Sequence, residues 1–209
     1  MTKKIVLIVF GLIFISKLIV FSQSYRFGFE AGFDIANAQM TGEPDRSLQL
    51  YYPMPAFNVN GIFGYKISQS LGVYAEPGFI QKGGKQKSTN GDVRLQLNYI
   101  QLPVLAELYI AHKIYFSIGP EFGYMINAKA KSKQHSNDIT SLYDKRFELS
   151  GLAGINYRIL DKLDIGLRYN HGLTYTQKII LVNEFGDQTG VTKDYNQYFQ
   201  VIVKFRINK

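Results

Sequence analysis

From Tyr25 to the end of the chain, apolar and polar residues alternate at period 2. In the first segment Tyr25, Phe27, Phe29, Ala31, Phe33 and Ile35 share one face of an extended strand, and Arg26, Gly28, Glu30, Gly32, Asp34 and Ala36 share the other. The last segment repeats the pattern, with Phe199, Val201, Val203, Phe205 and Ile207 set against Tyr198, Gln200, Lys204 and Arg206. Eight such segments are predicted as strands: about Tyr25–Ala38, Met54–Ile67, Leu71–Lys82, Val93–Ile110, Lys113–Lys129, Lys145–Ile159, Lys162–Gln177 and Tyr195–Ile207. At about 11 to 18 residues each they are long for strands of a soluble domain, whose usual length is about 5–6. The fourth breaks phase. Leu95 and Leu97 share the parity of Tyr99, whereas Ile100, Leu102, Val104, Leu108 and Ile110 take the other, so one extra residue is expected near Asn98–Ile100 as a β-bulge.

The connections alternate in length. Short ones fall at Ser68–Ser70, Ala111–His112 and Leu160–Asp161, and long ones at Gln39–Pro53, Gly83–Asp92, Ala130–Asp144 and Lys178–Asp194. Outer-membrane barrels have short periplasmic turns, longer extracellular loops and an even strand count. The pattern therefore predicts an all-β fold, an eight-stranded antiparallel up-and-down transmembrane β-barrel with both chain ends on the periplasmic side.

Energetics choose the face that meets lipid. A Lys or Arg there costs about 2–4 kcal/mol at the midplane. The polar faces carry Glu30, Glu76, Glu107, Glu121, Glu148, Arg158, Arg168, Lys204 and Arg206. Exposing several of them to hydrocarbon would exceed a typical domain stability of about 5–15 kcal/mol, so they are expected to line the lumen. Eight strands enclose an interior that side chains just fill. Inward glycines such as Gly28, Gly64 and Gly166 make room for long charged side chains and for Tyr74 and Tyr198. Arg168, Lys204 or Arg206 should pair with carboxylates such as Glu30, Glu121 or Glu148, because an unpaired buried charge costs several kcal/mol.

Residues 1–22 read as a leader: Lys3 and Lys4 form a positive start, Ile5 to Ile15 an apolar run, and Val20-Phe21-Ser22 a cleavage signal before Gln23. The other reading of this stretch is a permanent membrane helix. Strand alternation begins about two residues past the expected cut, which favours a cleaved signal peptide ahead of a barrel domain over 23–209. The chain has no Cys, which excludes disulfides, thiolate metal sites and cysteine catalysis. Its formal charge of +8 falls to +5 once Lys3, Lys4 and Lys17 go with the leader. Such an excess suits anionic lipid and lipopolysaccharide phosphate; an exported chain has no call for nucleic acid.

Little chemistry stands out. His112, His135 and His171 are too dispersed for a metal centre or a Ser-His-Asp arrangement, and no catalytic, cofactor or metal site is assigned. Lys82, Lys85 and Lys87 at the second long loop, and Lys129, Lys131 and Lys133 at the third, either contact lipopolysaccharide phosphates or form a solvated loop face. Tyr51 and Tyr52, beside Pro53 and Pro55, read as a rigid contact surface or as part of an interfacial aromatic belt.

The segment Asn98-Tyr99-Ile100-Gln101-Leu102-Pro103-Val104-Leu105 resembles the Tyr-x-x-(Ile/Leu)-Pro signature of the PorT-like outer-membrane β-barrel proteins of Bacteroidetes-type bacteria. Leu71–Phe79 and Gly119–Tyr124 are similar to that family's glycine- and aromatic-rich strands, and the resemblance covers the whole mature chain. It implies an eight-stranded barrel in the bacterial outer membrane. The family is defined by its fold more than by activity, although its namesake assists a secretion system.

The leading expectation is a non-enzymatic scaffold that displays loops for interaction, envelope integrity or assistance to a secretion or assembly complex. Its expected partners are outer-membrane lipid and lipopolysaccharide, with an envelope or secretion-complex protein as a further one. A membrane-embedded enzyme acting on lipid or lipid A is the first alternative, and it needs a nucleophile and base that the sequence does not assemble. A narrow solute channel is the second, disfavoured by strand count and bulky lumen residues.

Overall fold

The computed structural model describes residues 25–43, 51–87, 91–133, 135–143 and 145–207; the expected leader lies outside them. Eleven strands among the described residues form one sheet: β1 (Tyr25–Glu43), β2 (Met54–Lys66), β3 (Leu71–Ala75), β4 (Gly78–Gln86), β5 (Val93–Tyr109), β6 (Ile114–Lys131), β7 (Ser136–Asp138), β8 (Phe147–Leu160), β9 (Leu163–Gly172), β10 (Gln177–Val182) and β11 (Gln188–Arg206). Eight staves make the barrel: β1, β2, β3 with β4, β5, β6, β8, β9 and β11. Each pairs antiparallel with the next, and β1 pairs with β11 from Gly28↔Arg206 to Glu43↔Val191, which closes the ring. A closed ring leaves no unpaired edge in the hydrocarbon, where an unsatisfied backbone group is costly.

The alternation seen in the sequence becomes an outside and an inside. Phe27, Phe29, Phe33, Phe57, Phe63, Leu167, Phe199 and Phe205 are exposed on the outer wall, while Glu30, Asp34, Asn58, Asn60, Arg168 and Lys204 are buried within. Tyr25 and Tyr65, with ring centroids 5.3 Å apart, belong to an aromatic girdle at the periplasmic end of the wall.

The third stave is interrupted at Glu76-Pro77, because proline has no N–H for the ladder. Register nevertheless runs straight through: Phe63↔Ala75 and Asn60↔Gly78 continue one series. Gly61 N–H donates to the Pro77 carbonyl (2.8 Å) and Glu76 N–H to that of Pro103 (2.9 Å), which holds the gap shut.

Three expectations need correction. The register does shift at Asn98/Tyr99, but the extra residue belongs to the neighbouring strand: Asn98 faces Asn127 and Tyr99 faces Met125, which leaves Ile126 of β6 unopposed. β5 therefore keeps one phase, and Leu97 points inward with Tyr99, Gln101, Leu105 and Glu107. The interior is also not polar throughout. Ala36, Met54, Ala56, Ile80, Leu97, Tyr99, Met125, Ala128 and Tyr198 form an apolar layer at the extracellular end, covered by Tyr143 and Ile139 of the third long loop. Finally, the stretch expected as a loop at 178–194 is mostly a hairpin. β10 pairs with the start of β11 around a turn in which Asn183 N–H donates to the Asp187 carbonyl (2.9 Å) and Gly186 takes φ +86°, a left-handed value that glycine adopts without strain. The far ends of β1, β11 and β10 thus form a small sheet beyond the membrane band.

At one inward position the packing depends on a missing side chain. A Cβ on Gly64 would sit 2.0 Å from Tyr74 Cδ1, and Tyr74 is itself buried with its hydroxyl 2.9 Å from that of Tyr109. Gly64→Ala should destabilise the folded barrel by about 1–3 kcal/mol, the usual cost of overpacking, measured as a lowered urea midpoint in detergent micelles. Gly151, outward with open space around its Cβ position, should accept alanine with little change.

Candidate functional site

Inward charges at successive heights along the staves meet across the lumen in two groups. Nearer the extracellular end, Lys82 Nζ lies 2.8 Å from Glu121 Oε1 and 2.9 Å from Glu148 Oε1, with all three buried. One cation serves two carboxylates, and neutral donors hold the remaining acceptors. The Tyr198 hydroxyl donates to Glu121, Asn196 Nδ2 to Glu148 Oε2 (2.7 Å), and Ser150 Oγ to Glu148 Oε1 (3.0 Å). The rings of Tyr99 and Tyr198 flank the ammonium at 4.9 and 5.3 Å.

The second group lies toward the periplasm. Arg168 spreads its guanidinium between Glu30 (Nη1 to Oε1, 3.0 Å) and Glu76 (Nη2 to Oε2, 2.8 Å), a fork that suits two carboxylates at once. Lys204 joins Glu76 (2.7 Å) to Glu107 (3.0 Å). Arg206 reaches Asp164 Oδ2 at 2.6 Å, and Arg158, partly exposed at the mouth, meets Asp164 Oδ1 at 3.4 Å through Nε. Tyr109 and Tyr115 donate to Glu107 (2.6 Å) and Asp164 (2.7 Å). Glu30, Glu76, Glu107, Arg158, Arg168, Lys204 and Arg206 are thus one network, and Glu121 and Glu148 belong to the other with Lys82. Asp164, outside the charges expected in the lumen, shares the inward parity of Arg168.

Lys82 is a correction. Expected among loop lysines that contact lipopolysaccharide phosphates or form a solvated loop face, it is 1% exposed inside the barrel. β4 continues to Gln86, so Lys82 keeps the inward parity of Glu76 and Ile80 instead of leaving the strand. Its ammonium is desolvated and has become a structural counter-ion. Tyr51 is also internal: its hydroxyl donates to Asp194 Oδ2 (3.1 Å) in the extracellular mouth, whereas Tyr52 lies outside with Lys87 Nζ 4.3 Å from its ring centroid.

The other lysines gather on the outer rim. Arg94 faces Lys85 across one strand pair and Lys131 across the next, so Lys85, Arg94 and Lys131 stand in one row over β4, β5 and β6. Lys133 joins them around an outward hollow of about 570 Å³ that also includes Asp92 and Gln96. Lys129 faces Asp138 of β7. Asp92 accepts a hydrogen bond from Lys85 (2.9 Å), which holds its carboxyl below the usual range. Arg94 was absent from the sequence reading, because cross-strand register brings it there. Above the opposite wall, β10 has β11 as its one sheet neighbour among the described residues. Its hairpin exposes Ile180, Val182 and, at the tip, Phe185, which is 89% exposed. His112, His135 and His171 are separately exposed on a turn, a loop and the outer wall.

The position of Lys82 sets a direct test. Lys82→Met removes the one cation between Glu121 and Glu148, and breaking a buried pair in this way costs about 3–5 kcal/mol. Chemical unfolding in micelles should show that loss, and adding Glu121→Gln with Glu148→Gln should recover much of it. A lysine that served only to contact lipopolysaccharide would leave the unfolding midpoint unchanged, as Lys85→Gln should.

A family profile described as outer membrane protein beta-barrel domain matches residues 21–177. No curated protein sequence matches the chain. Among solved structures, Neisserial surface protein A is 13% identical, the alignment covering 85% of this chain and 96% of that one at a TM-score of 0.50. The attachment invasion locus protein Ail of Yersinia pestis is 12% identical over 88% and 99% of the two chains at 0.48, and OprG of Pseudomonas aeruginosa 11% identical over 90% and 98% at 0.48. At 13% identity the likeness to Neisserial surface protein A speaks to fold alone. The matched domain, the closed ring and its lipid-compatible wall together make this chain a member of the outer membrane β-barrel domain family, resident in the bacterial outer membrane.

Proposed function

We propose that the protein is a non-enzymatic scaffold, a barrel plugged by its own ion pairs that offers its extracellular end to partners in the cell envelope. The observation behind this reading is the interior: two buried charge networks and an apolar layer occupy its length. Groups so engaged are unavailable to bind or turn over a substrate, and they leave no wide path for solutes. Function then falls to the rim, where loops on a rigid scaffold commonly carry it.

Two parts of the rim suit two partners. The row of Lys85, Arg94 and Lys131, with Lys87, Lys129 and Lys133 nearby, faces outward just beyond the apolar wall. Lipopolysaccharide surrounds a barrel at that height, and its phosphates would find several cations against the single carboxylate of Asp92 in the hollow. The sheet of β1, β11 and β10 stands higher and, among the described residues, has an open edge with apolar side chains, which suits an envelope or secretion-complex protein. The Tyr99 to Pro103 motif supports placing the chain among PorT-like barrels, whose namesake assists secretion.

The reading is tested by crosslinking in intact outer membranes, followed by capture of the protein and its neighbours. Removing 181–189 should leave a folded barrel, because those residues lie beyond the ring, and should deplete a protein neighbour. Replacing Lys85, Arg94 and Lys131 by Gln should instead reduce lipopolysaccharide retained through purification. The purified protein in planar bilayers should show no steady single-channel conductance. Unchanged neighbours and lipopolysaccharide in both variants, or steady conductance by the wild type, would refute the scaffold reading.

A further inference from the structure

The periplasmic mouth inverts the charge balance of the rest of the interior. Arg26 of β1, Lys66 of β2 and Arg158 of β8 share the inward parity of Gly28, Gly64 and Asn156 and converge there. Arg26, Arg158 and Arg206, all of its own sign, lie near enough to act on Lys66. Deeper in the lumen each cation meets one or more carboxylates. Here Asp164 is shared by Arg158 (3.4 Å), Arg206 and the Tyr115 hydroxyl, and Glu107 is engaged by Lys204, Arg206 and the Tyr109 hydroxyl. Arg26 Nη1 is enclosed and has no hydrogen-bond acceptor among the described residues.

Two of these cations, Lys66 and Arg158, border a formed space. Lys66, Gln69, Ser70, Tyr109, His112 and Arg158 border a vestibule of about 530 Å³. The turn carrying Gln69 and Ser70 is fixed against β5, since Tyr109 N–H donates to the Ser70 carbonyl (2.9 Å) and Ser70 N–H to Ser68 Oγ (3.2 Å). Lys66 Nζ lies 4.8 Å from the Tyr109 ring centroid. Ammonium, guanidinium, amide and hydroxyl donors thus border one opening.

We propose that this vestibule is an oxyanion site that binds a phosphate group, either free phosphate or the headgroup of an inner-leaflet phospholipid. Lys66 and Arg158 at the opening repel one another, and Arg26 acts on Lys66 with the same sign, so a group of more than one negative charge relieves these repulsions together. Arginine adds paired N–H donors that match phosphate oxygens. The site lies at the opposite end of the barrel from the rim assigned above, so it stands or falls independently of that reading.

The test uses the folded wild type, the double variant Lys66→Gln with Arg26→Gln, and Arg158→Gln as a separate variant. A control replaces Lys85 and Lys131 by Gln at the far rim. Circular dichroism and heat-dependent gel migration establish that each is folded. In one arm, calorimetry in a neutral detergent follows titration with inorganic phosphate. In the other, native mass spectrometry counts phosphatidylglycerol retained from phosphatidylcholine nanodiscs that contain it. Saturable phosphate binding that weakens roughly tenfold or more in the double variant and in Arg158→Gln, but not in the control, supports the site with free phosphate as ligand. Retention of phosphatidylglycerol that is lost in the same variants, with no phosphate saturation, supports it with the lipid headgroup. Binding of neither probe, or equal binding by wild type and both mouth variants, overturns the proposal.

Discussion

A charge inside this barrel is cut off from water by the wall and the loop cap, and from lipid by the wall alone, so it can be stabilised only by another group inside. Desolvating an ion costs several kcal/mol unless attraction and hydrogen bonds return it. The structure meets that demand unevenly. The buried acids Glu30, Asp34, Glu76, Glu107, Glu121, Glu148, Asp164 and Asp194 outnumber the buried cations Lys82, Arg168, Lys204 and Arg206. Neutral donors make up the difference: Tyr51 bonds Asp194, Tyr198 bonds Glu121, Tyr115 bonds Asp164, and Asn58 bonds Asp34 (2.8 Å). Many of the tyrosines are therefore interior hydrogen-bond donors, and the membrane girdle takes only some of them.

The same constraint explains why the barrel cannot be described by its wall alone. Arg168 and Glu30 are 138 positions apart in the chain, and Lys204 and Glu76 are 128 apart. These contacts cross the lumen between staves that are not neighbours in the sheet, and backbone pairing alone would not fix the radius or roundness of the ring. The internal pairs act as spokes. Where they end, toward the extracellular mouth, an apolar layer and the lid formed by Tyr143 and Ile139 take over that task.

Period-2 alternation, the rhythm of short and long connections, and the cost of charge in hydrocarbon made the closed ring and its inward faces readable from sequence. Pair identities were not, because they depend on tilt and stagger. Glu121 and Glu148, for example, were expected to meet arginine or the late lysine and instead share Lys82. Lys82 itself was misjudged through a strand end: its parity with Glu76 and Ile80 was visible, but the strand was taken to stop there. Leu97 shows the opposite error, since an apolar side chain was assigned outward by default and packs inward beneath the loop cap. Arg94 drew no notice alone and gains its place only when β5 is laid between β4 and β6.

Along the chain, three of the lower network's four acids precede all of its cations, and the fourth, Asp164, lies between Arg158 and Arg168. Glu30 and Glu107 come from β1 and β5 and Glu76 from the break between β3 and β4, while Arg158 comes from β8 and Arg168, Lys204 and Arg206 come from β9 and β11. A partly assembled ring is therefore an acid-lined curl, and the final hairpin carries its counter-ions. β11 is also the strand that seals against β1. Closing the seam and neutralising the lower network are then one event, which gives insertion an electrostatic clock: as the polypeptide completes its circumference, it also completes the charge of that network.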